Sequence, residues 1–390
     1  MINEKLCRFY SPNWLSSLLI DSLPTLSPKV IVDLGSGPGS LSDAAAARWP
    51  SAKIATVDVD PRVKALRPQN NSTRLHVCRN VLADGLPKAI GIEPGTADLV
   101  ISNPPYTRVD RSRSINRVLA RAGLQDVVSG WDMIPVELAF LAQALLLVRP
   151  SGMIAFVVPD TLISSELLKA VRRLLLREHQ FKTVIQLPRR TFERTDAQAF
   201  VLVIRKAAYC EKINLRAVDE SGRTEADFEI SAEAGIRRLD CLFHAASHPS
   251  AGNTLSDLGV VVTRGRSNSR HVSDSKGLIF HTSDFPTRPG GSVSVSKASE
   301  NHAAQSGGVI AQAGDILMAR VDRRLEHKIA VVSGATEISD CVLCLRVPEA
   351  ARDRVLKGLV SNEGRSQLSA TSRGTGARHI SHKSVLAIRV

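Results

Sequence analysis

The stretch that most restricts the fold is Lys29-Val-Ile-Val-Asp-Leu-Gly-Ser-Gly-Pro-Gly-Ser. An apolar run that ends in one acid reads as a buried strand, and Gly35, Gly37 and Gly39 at alternate positions let the backbone turn tightly and approach a ligand. The alanine-rich run from Leu41 to Trp49 then supplies a helix. Strand, glycine turn and helix form the first half of a nucleotide-binding α/β unit. The spacing is GxGxG, not GxGxxG, and no Lys-Ser/Thr pair follows, which disfavours NAD and ATP.

A second strand, Lys53-Ile-Ala-Thr-Val-Asp-Val-Asp-Pro, carries Asp58 about twenty residues beyond the glycines, where an acid binds ribose hydroxyls. An adenosyl ligand without a pyrophosphate fits this pattern. The competing reading makes Asp58 a helix cap ahead of Pro61, a place that Asp60 fills better. A third strand, Arg74-Leu-His-Val-Cys, leads to Asn80 and Asp84, either of which reaches toward an adenine amino group at the sheet edge. Near the amino terminus, Ser11-Pro12 forms a turn before an amphipathic helix from Trp14 to Leu23.

The chemistry concentrates in Asn103-Pro-Pro-Tyr, which follows the apolar run Ala97-Asp-Leu-Val-Ile and so emerges at the carboxyl edge of the sheet. Two prolines fix two φ angles, remove two N–H donors and push Asn103 into an extended conformation. The Asn103 amide and the Pro104 carbonyl are two acceptors able to converge on one external amino group. Tyr106 supplies a flat face beside them. Such a site suits a planar NH₂ conjugated to a ring or a carbonyl. The structural alternative is a proline-rich turn with a core aromatic.

From Thr107 to Gly130 the chain holds Arg108, Arg111, Arg113, Arg117 and Arg121, which suits a phosphate backbone if the segment is a loop or lid. The helical spacing of Ile115, Val118, Leu119 and Leu124 equally allows a solvated helix. An apolar helix over 135–148, a strand from Gly152 to Pro159, a helix over 162–177, and strands at 181–188 and 199–206 extend one doubly wound sheet. Phe192, an aromatic in a polar turn, is a candidate second face for a bound base or else an anchor for its own turn.

At 390 residues the chain has room for two or three domains, and the Pro/Gly segment from His248 to Asn253 is the expected joint. We therefore expect a catalytic α/β domain over 1–245 and a smaller, strand-rich α+β domain over 246–390. The net charge is +13; residues 246–390 hold 19 Lys+Arg against 12 Asp+Glu, leaving +7 of that total in the second part. A surface of this sign attracts polyanions, nucleic acid first. Two Gly/Ser-rich basic stretches carry it: Thr263 to His271, with Arg264, Arg266 and Arg270, and Thr371 to Ser381, with Arg373 and Arg378. No run reaches membrane-spanning length and the amino terminus lacks a signal-peptide core, so a cytoplasmic protein is expected. The six scattered cysteines imply reduced thiols. Cys341 and Cys344 fall in a strand-like run that turns them to opposite faces, so no metal is expected.

Taken together, Asp33-Leu-Gly-Ser-Gly-Pro-Gly resembles the S-adenosylmethionine loop of class I methyltransferases, and Asn103-Pro-Pro-Tyr resembles the signature of amino methyltransferases. Phe9-Tyr-Ser-Pro ahead of the glycine loop is similar to the amino-terminal cofactor motif of the gamma-ordered DNA adenine-N6 methyltransferases. In the second domain, Thr254-Leu-Ser-Asp-Leu-Gly, Gly314-Asp-Ile-Leu-Met-Ala-Arg and Gly376-Ala-Arg-His-Ile-Ser resemble target-recognition domains of type I restriction specificity subunits. The resemblance implies a Rossmann-like methyltransferase fold in which the Gly35 to Gly39 loop wraps S-adenosylmethionine and Asp58 binds its ribose. Tyr10, Ser11, Pro12 and Asp33 would lie near the methionine part, and Asn80 or Asp84 would contact the adenine. Asn103 and Pro104 would hold adenine N6, with Tyr106 and Phe192 on either side of a base flipped out of double-stranded DNA. The family usually has Asp where Asn80 falls. A separate cognate restriction endonuclease would be a natural partner, and any cleavage belongs to that other chain.

Other functions share parts of this pattern. A protein glutamine-N5 methyltransferase or an RNA amino methyltransferase would use the same acceptor pair without requiring a basic second domain. A non-catalytic DNA-specificity subunit would not require Asn103, Tyr106 and the glycines together.

Overall fold

The computed structural model describes residues 11–65, 73–83, 85–192, 197–247, 252–374 and 377–390. It forms two compact units, Met1–Cys241 and Leu242–Val390.

The first unit is built on a nine-stranded sheet of β1 (Val30–Leu34), β2 (Lys53–Asp58), β3 (Arg74–Cys78), β4 (Ala97–Ser102), β7 (Val148–Pro159), β8 (Gln180–Gln186), β9 (Ala199–Arg205), β10 (Lys212–Val218) and β11 (Thr224–Ser231), with a separate two-stranded ribbon of β5 (Arg108–Asp110) and β6 (Met133–Pro135) between β4 and β7 in the chain. Leaving out the ribbon, their order is β11-β10-β8-β9-β7-β4-β1-β2-β3. The strands β3, β2, β1, β4 and β7 run parallel, and β9 runs antiparallel between β7 and β8. From β1 the chain steps outward to β2 and β3, then crosses back to place β4 on the other side of β1. That reversal opens a crevice at the carboxyl ends of β1 and β4, where open α/β sheets bind ligands.

The helices are α1 (Asn13–Asp21), α2 (Ser40–Arg48), α3 (Pro61–Ala65), α4 (Leu86–Ala89), α5 (Arg113–Arg121), α6 (Val136–Leu147), α7 (Asp160–Ser164), α8 (Lys169–Glu178) and α9 (Ala232–Arg237). Successive strand residues point to opposite faces, and the core divides accordingly. Ile31, Leu99 and Ile101 pack with Leu15 and Leu19 of α1, whereas Val32, Leu34 and Val100 pack with Leu138 and Phe140 of α6. Helix α6 is buried on nearly every side and, apart from Glu137 and Gln143, is apolar on every side. The expected helix over 162–177 is two helices, since the chain leaves helical conformation at Ser165 (ψ 133°).

The arginine-rich segment after Tyr106 is the ribbon β5–β6 enclosing α5. Ser112 caps α5 by accepting the Ile115 N–H at 3.2 Å, and Ile115, Val118 and Leu119 are buried beneath it. The helical alternative is the one the structure adopts.

In the second unit, a five-stranded sheet takes Val261–Arg264, Val342–Arg346, Ile316–Ala319, Ile329–Val332 and Gly291–Val293 in that order. A smaller three-stranded sheet and the helices Lys297–Gln305, Glu349–Val360 and Asn362–Thr371 complete an α+β architecture around Leu255, Ile316, Met318, Val342 and Leu359. Among the described residues no helix is long and apolar enough to cross a membrane.

Candidate active site

At the end of β1 the glycine turn hangs from the neighbouring strand: the Gly35 and Ser36 N–H groups both donate to the Val57 carbonyl, at 2.8 and 2.9 Å. Gly35 has φ +70° and Gly37 φ +50°, a region that side-chain-bearing residues avoid. A Cβ on Gly35 would meet the Phe140 ring at 3.0 Å, so the turn lies directly against α6. Asp58, at the end of β2, closes the arrangement. Its Oδ2 accepts the Gly37 N–H at 2.8 Å and its Oδ1 accepts the Asp60 N–H at 2.8 Å. Each oxygen keeps a further lone pair for a hydroxyl ligand. The helix-capping role falls to Asp60, whose Oδ1 accepts the Arg62 N–H at 3.1 Å.

At the end of β4, the buried Ser102 hydroxyl donates to the Leu34 carbonyl at 2.5 Å, tying the two carboxyl ends together. The next residue, Asn103, therefore begins beside the glycine turn. Beyond the prolines, the Val136 N–H donates to the Thr107 carbonyl at 3.0 Å, which fixes the loop to the start of α6. Asn103 itself donates from Nδ2 to the Ser11 hydroxyl at 3.1 Å, and the Tyr106 hydroxyl lies 3.5 Å from its Oδ1.

These elements enclose a cavity of about 360 Å³, with Ser11, Gly35, Gly37, Asp58, Asn80, Asn103, Pro104 and Arg108 in its wall. The Asn80 Oδ1 accepts the Leu82 N–H at 2.9 Å, which orients the amide at the rim. Val59, Val81, Val109, Val136 and Phe140 also line the cavity, and sequence reasoning missed them. The signal was absent because an apolar residue looks the same in sequence whether it faces the core or a ligand. Pro12 instead precedes α1 as its cap, Gly39 (φ +107°) precedes α2, and Asp33 is fully buried within β1. Tyr10 and Asp84 lie outside the described residues.

One of the two aromatic candidates, Phe192, needs correction. Phe192 is 2% exposed within the apolar cluster of Ile185 and Leu187, and its ring meets the Tyr106 ring edge-on, with centroids 6.1 Å apart and planes at 79°. A base sandwiched between two rings needs parallel planes about 7 Å apart, twice a carbon contact distance. In this arrangement Phe192 anchors its turn and supports Tyr106, and it offers no second stacking face. Burial, and after it the nearby Glu137 carboxyl, push the Tyr106 phenol well above its ordinary pKa. Glu137, in the first turn of α6, is 3% exposed; burial pushes its carboxyl up to about 7, against the opposing pull of its own backbone N–H and of Arg108.

Several arginines also resolve. Arg108 and Arg113 are exposed, but Arg111 is turned inward, donating to Asn116 Oδ1 and to the Val128 carbonyl, both at 2.8 Å. Half-buried, it braces the α5 segment. In the second unit Arg264, Arg266 and Arg270 are exposed, Arg264 also pairing with Asp340 at 3.1 Å. Arg373 is half-buried and its backbone bridges His379. Arg378 is 2% exposed; it pairs with Glu326 and donates to the Ser369 and Ser372 hydroxyls at 2.9 and 3.1 Å. A guanidinium so enclosed holds the unit together and cannot reach a phosphate.

A doubly wound sheet with a glycine turn, an acid at the end of β2 and an Asn-Pro-Pro-Tyr edge on one cavity has the fold of class I methyltransferases. Residues 68–234 match the family model described as N-6 DNA methylase, which supports a methyltransferase enzyme. The ribosomal RNA small subunit methyltransferase C of Ectopseudomonas mendocina is 36% identical over 93 residues, 23% of this chain and 26% of that protein. The release factor glutamine methyltransferase of Koribacter versatilis is 32% identical over 93 residues, 23% of this chain and 32% of that protein. The chain thus spans about a quarter to a third of the length of these curated relatives. The solved structure of the type IIG restriction endonuclease BpuSI is similar in fold, with a TM-score of 0.53 at 15% identity, over 98% of this chain and 59% of that one.

Proposed function

We propose that the chain is a site-specific DNA methyltransferase that transfers a methyl group from S-adenosylmethionine to N6 of an adenine flipped out of duplex DNA, as the modification activity of a restriction-modification system. The observation that carries this reading is that the Asn103 amide and the Gly35–Gly37 turn line one cavity. The residues suit an adenosyl cofactor: Gly35 leaves the space a Cβ would fill, Asp58 retains acceptor capacity for hydroxyls, and the walls are largely apolar.

When bound, the cofactor supplies an electrophilic sulfonium methyl group. The chain's own residues supply position and electrostatics. Asn103 Oδ1 and the Pro104 carbonyl accept the two N–H bonds of the amine, drawing its lone pair out of conjugation. No protein nucleophile is required: the amine nitrogen would form its bond to the methyl carbon as the carbon–sulfur bond breaks, and the surplus proton on nitrogen would pass to water. Tyr106 offers one ring to the extruded base, and stacking of about 1–3 kcal/mol offsets part of an unstacking cost of a few kcal/mol. Phe192 supports that ring from behind. The exposed Arg264, Arg266 and Arg270 of the second unit would meet the DNA backbone, and that unit would read the target.

The similarity to an RNA and to a glutamine methyltransferase favours a second reading, methylation of another planar amino group at the same acceptor pair. The N-6 DNA methylase match and the +7 charge of residues 246–390 weigh for DNA. Radiolabelled methyl transfer to duplex DNA, structured RNA and release-factor protein, followed by mapping of modified bases, separates the readings. Label in N6-methyladenine at one recurrent sequence is expected; label confined to RNA or protein overturns the proposal.

A further inference from the structure

One buried carboxylate organises a cavity in the second unit. Glu337 is 4% exposed and lies on the middle strand, Thr336–Ile338, of the three-stranded sheet, between Ile279–Phe280 and Ile310–Ala311. Its Oε1 accepts the Ser267 hydroxyl; its Oε2 accepts the Ser306 hydroxyl and, at 3.1 Å, meets the His302 Nε2. The three partners come from three segments: the basic loop from Thr263 to His271, the helix Lys297–Gln305 and the turn that follows it. Those same segments wall a cavity of about 520 Å³, with Arg266, His271, His302 and Gly308 in its lining. We propose that this cavity binds one phosphate of the DNA backbone through Arg266 and His302, and that Glu337 is the positioning residue that sets both. The inference rests on the DNA reading above and gives the second unit a defined contact.

Burial works to raise the Glu337 pKa, yet the Ser267 and Ser306 hydroxyls and the His302 ring together hold it below its ordinary value. An ionised carboxylate only accepts, so His302 donates from Nε2 and its Nδ1 remains for a ligand. With an anion at each nitrogen the ring binds as imidazolium. A Cβ on Gly308 would collide with the Glu337 carboxyl, so the turn packs directly on the acid. The exposed Asp274 also lines the wall, against Arg266 and the two histidines. With Arg264 and Arg270 exposed in the same loop, the balance of charge is basic.

The loop that carries Arg266 is held closely. A Cβ on Gly265 would collide with the Ser339 and Ile338 carbonyl oxygens, so glycine is what lets the loop approach this strand end. The Asp340 N–H donates to the Ser267 carbonyl at 2.9 Å. Between these two anchors Arg266 keeps an exposed side chain, and among the described residues no carboxylate pairs with it. A cation on a fixed backbone loses less freedom when it grips an anion. A buried acid ringed by donors adds little stability over apolar packing; what it specifies is position.

The test measures binding of the full chain to mixed-sequence duplex DNA by fluorescence anisotropy over a range of salt, with thermal unfolding alongside. Arg266→Ala is expected to weaken binding about tenfold and to lower the salt slope by about one unit. Glu337→Gln should weaken it to a similar extent, although deleting a negative charge near DNA would by Coulomb attraction alone tighten binding. Both changes lose the same phosphate, so the double variant should bind within about threefold of either single one. Unchanged or tighter binding by Glu337→Gln overturns the inference, and so do fully additive losses. Should Glu337→Gln unfold the second unit, His302→Ala decides. Affinity within about threefold of wild type then overturns the inference, and a larger loss that is not additive with Arg266→Ala supports it. Methyl transfer to duplex DNA by a Glu337→Gln chain that binds as wild type removes this site and leaves the methyl-transfer reading standing. The same variant pattern on structured RNA, with no binding to duplex DNA, overturns both the DNA assignment of the site and the reading it rests on.

Discussion

Asp58 holds the backbone N–H of Gly37 at 2.8 Å across twenty-one residues, and with its other oxygen the N–H of Asp60 at 2.8 Å. One carboxylate thus fixes both the glycine turn and the segment leaving β2. The shape of the cavity depends on it as much as its chemistry does. Asp58→Ala removes two charge-assisted bonds worth about 1.5–3 kcal/mol each, so cofactor affinity is expected to fall at least about tenfold. Titration calorimetry measures this; an unchanged affinity contradicts the assignment.

Asn103→Ala should abolish methyl transfer while leaving cofactor affinity within about threefold, because loss of the acceptor removes an interaction made to the amine and not to the cofactor. Single-turnover transfer and calorimetry on the same preparation give the two numbers. Wild-type turnover in that variant removes the central residue from the mechanism.

Phe192 and Tyr106 touch, yet their substitutions should separate. Phe192→Ala empties a site only 2% exposed and is expected to cost about 3–5 kcal/mol of stability, read by denaturant unfolding. Tyr106→Ala should chiefly lower the rate on duplex DNA, and less on a substrate whose target base is already unpaired. Near-neutral stability for Phe192→Ala would restore it as a surface ring.

Glu137 gives a pH dependence with a definite sign. Burial first raises its carboxyl to about 7 from an ordinary 4.5, with Tyr106 and Arg108 the ionisable neighbours that act on it or feel it. The folded state therefore holds a proton that the unfolded chain releases. Its contribution is fully present below pH 4.5 and is lost as pH rises through 7, amounting to about 3 kcal/mol at most. Across that window wild type should lose up to about 3 kcal/mol of unfolding free energy relative to Glu137→Gln, which carries no titrating group there. A difference independent of pH contradicts the assignment.

Two groups of arginines should behave oppositely. Replacing Arg264, Arg266 and Arg270 with Ala is expected to flatten the salt dependence of duplex binding by about one unit of slope for each phosphate no longer neutralised. Arg378→Ala should leave that slope intact and destabilise the chain by about 3 kcal/mol, because Glu326 loses its buried counter-charge. Filter binding against salt, with thermal unfolding alongside, distinguishes the two.

The strand, glycine turn and helix from Val30 to Arg48, the acid at Asp58 and the exit of Asn103 from β4 were legible because each depends on local sequence: apolar runs, residues that tolerate positive φ, and prolines that fix the path. The segment after Tyr106 was legible only as a choice, since its arginines and its apolar spacing were compatible with a lid or with a helix. Packing of Ile115, Val118 and Leu119 decided it.

What the sequence alone determined is the α/β order of the first unit and the place where the ligand crevice opens, because hydrophobic periodicity and backbone stereochemistry act over a few residues. Only the tertiary structure decided that Phe192, Arg111 and Arg378 face inward, that Ser11 meets Asn103, and that Phe140 walls the cavity. The direction of a side chain is set by neighbours tens to scores of residues away, which enter the balance only once the sheet has brought them together.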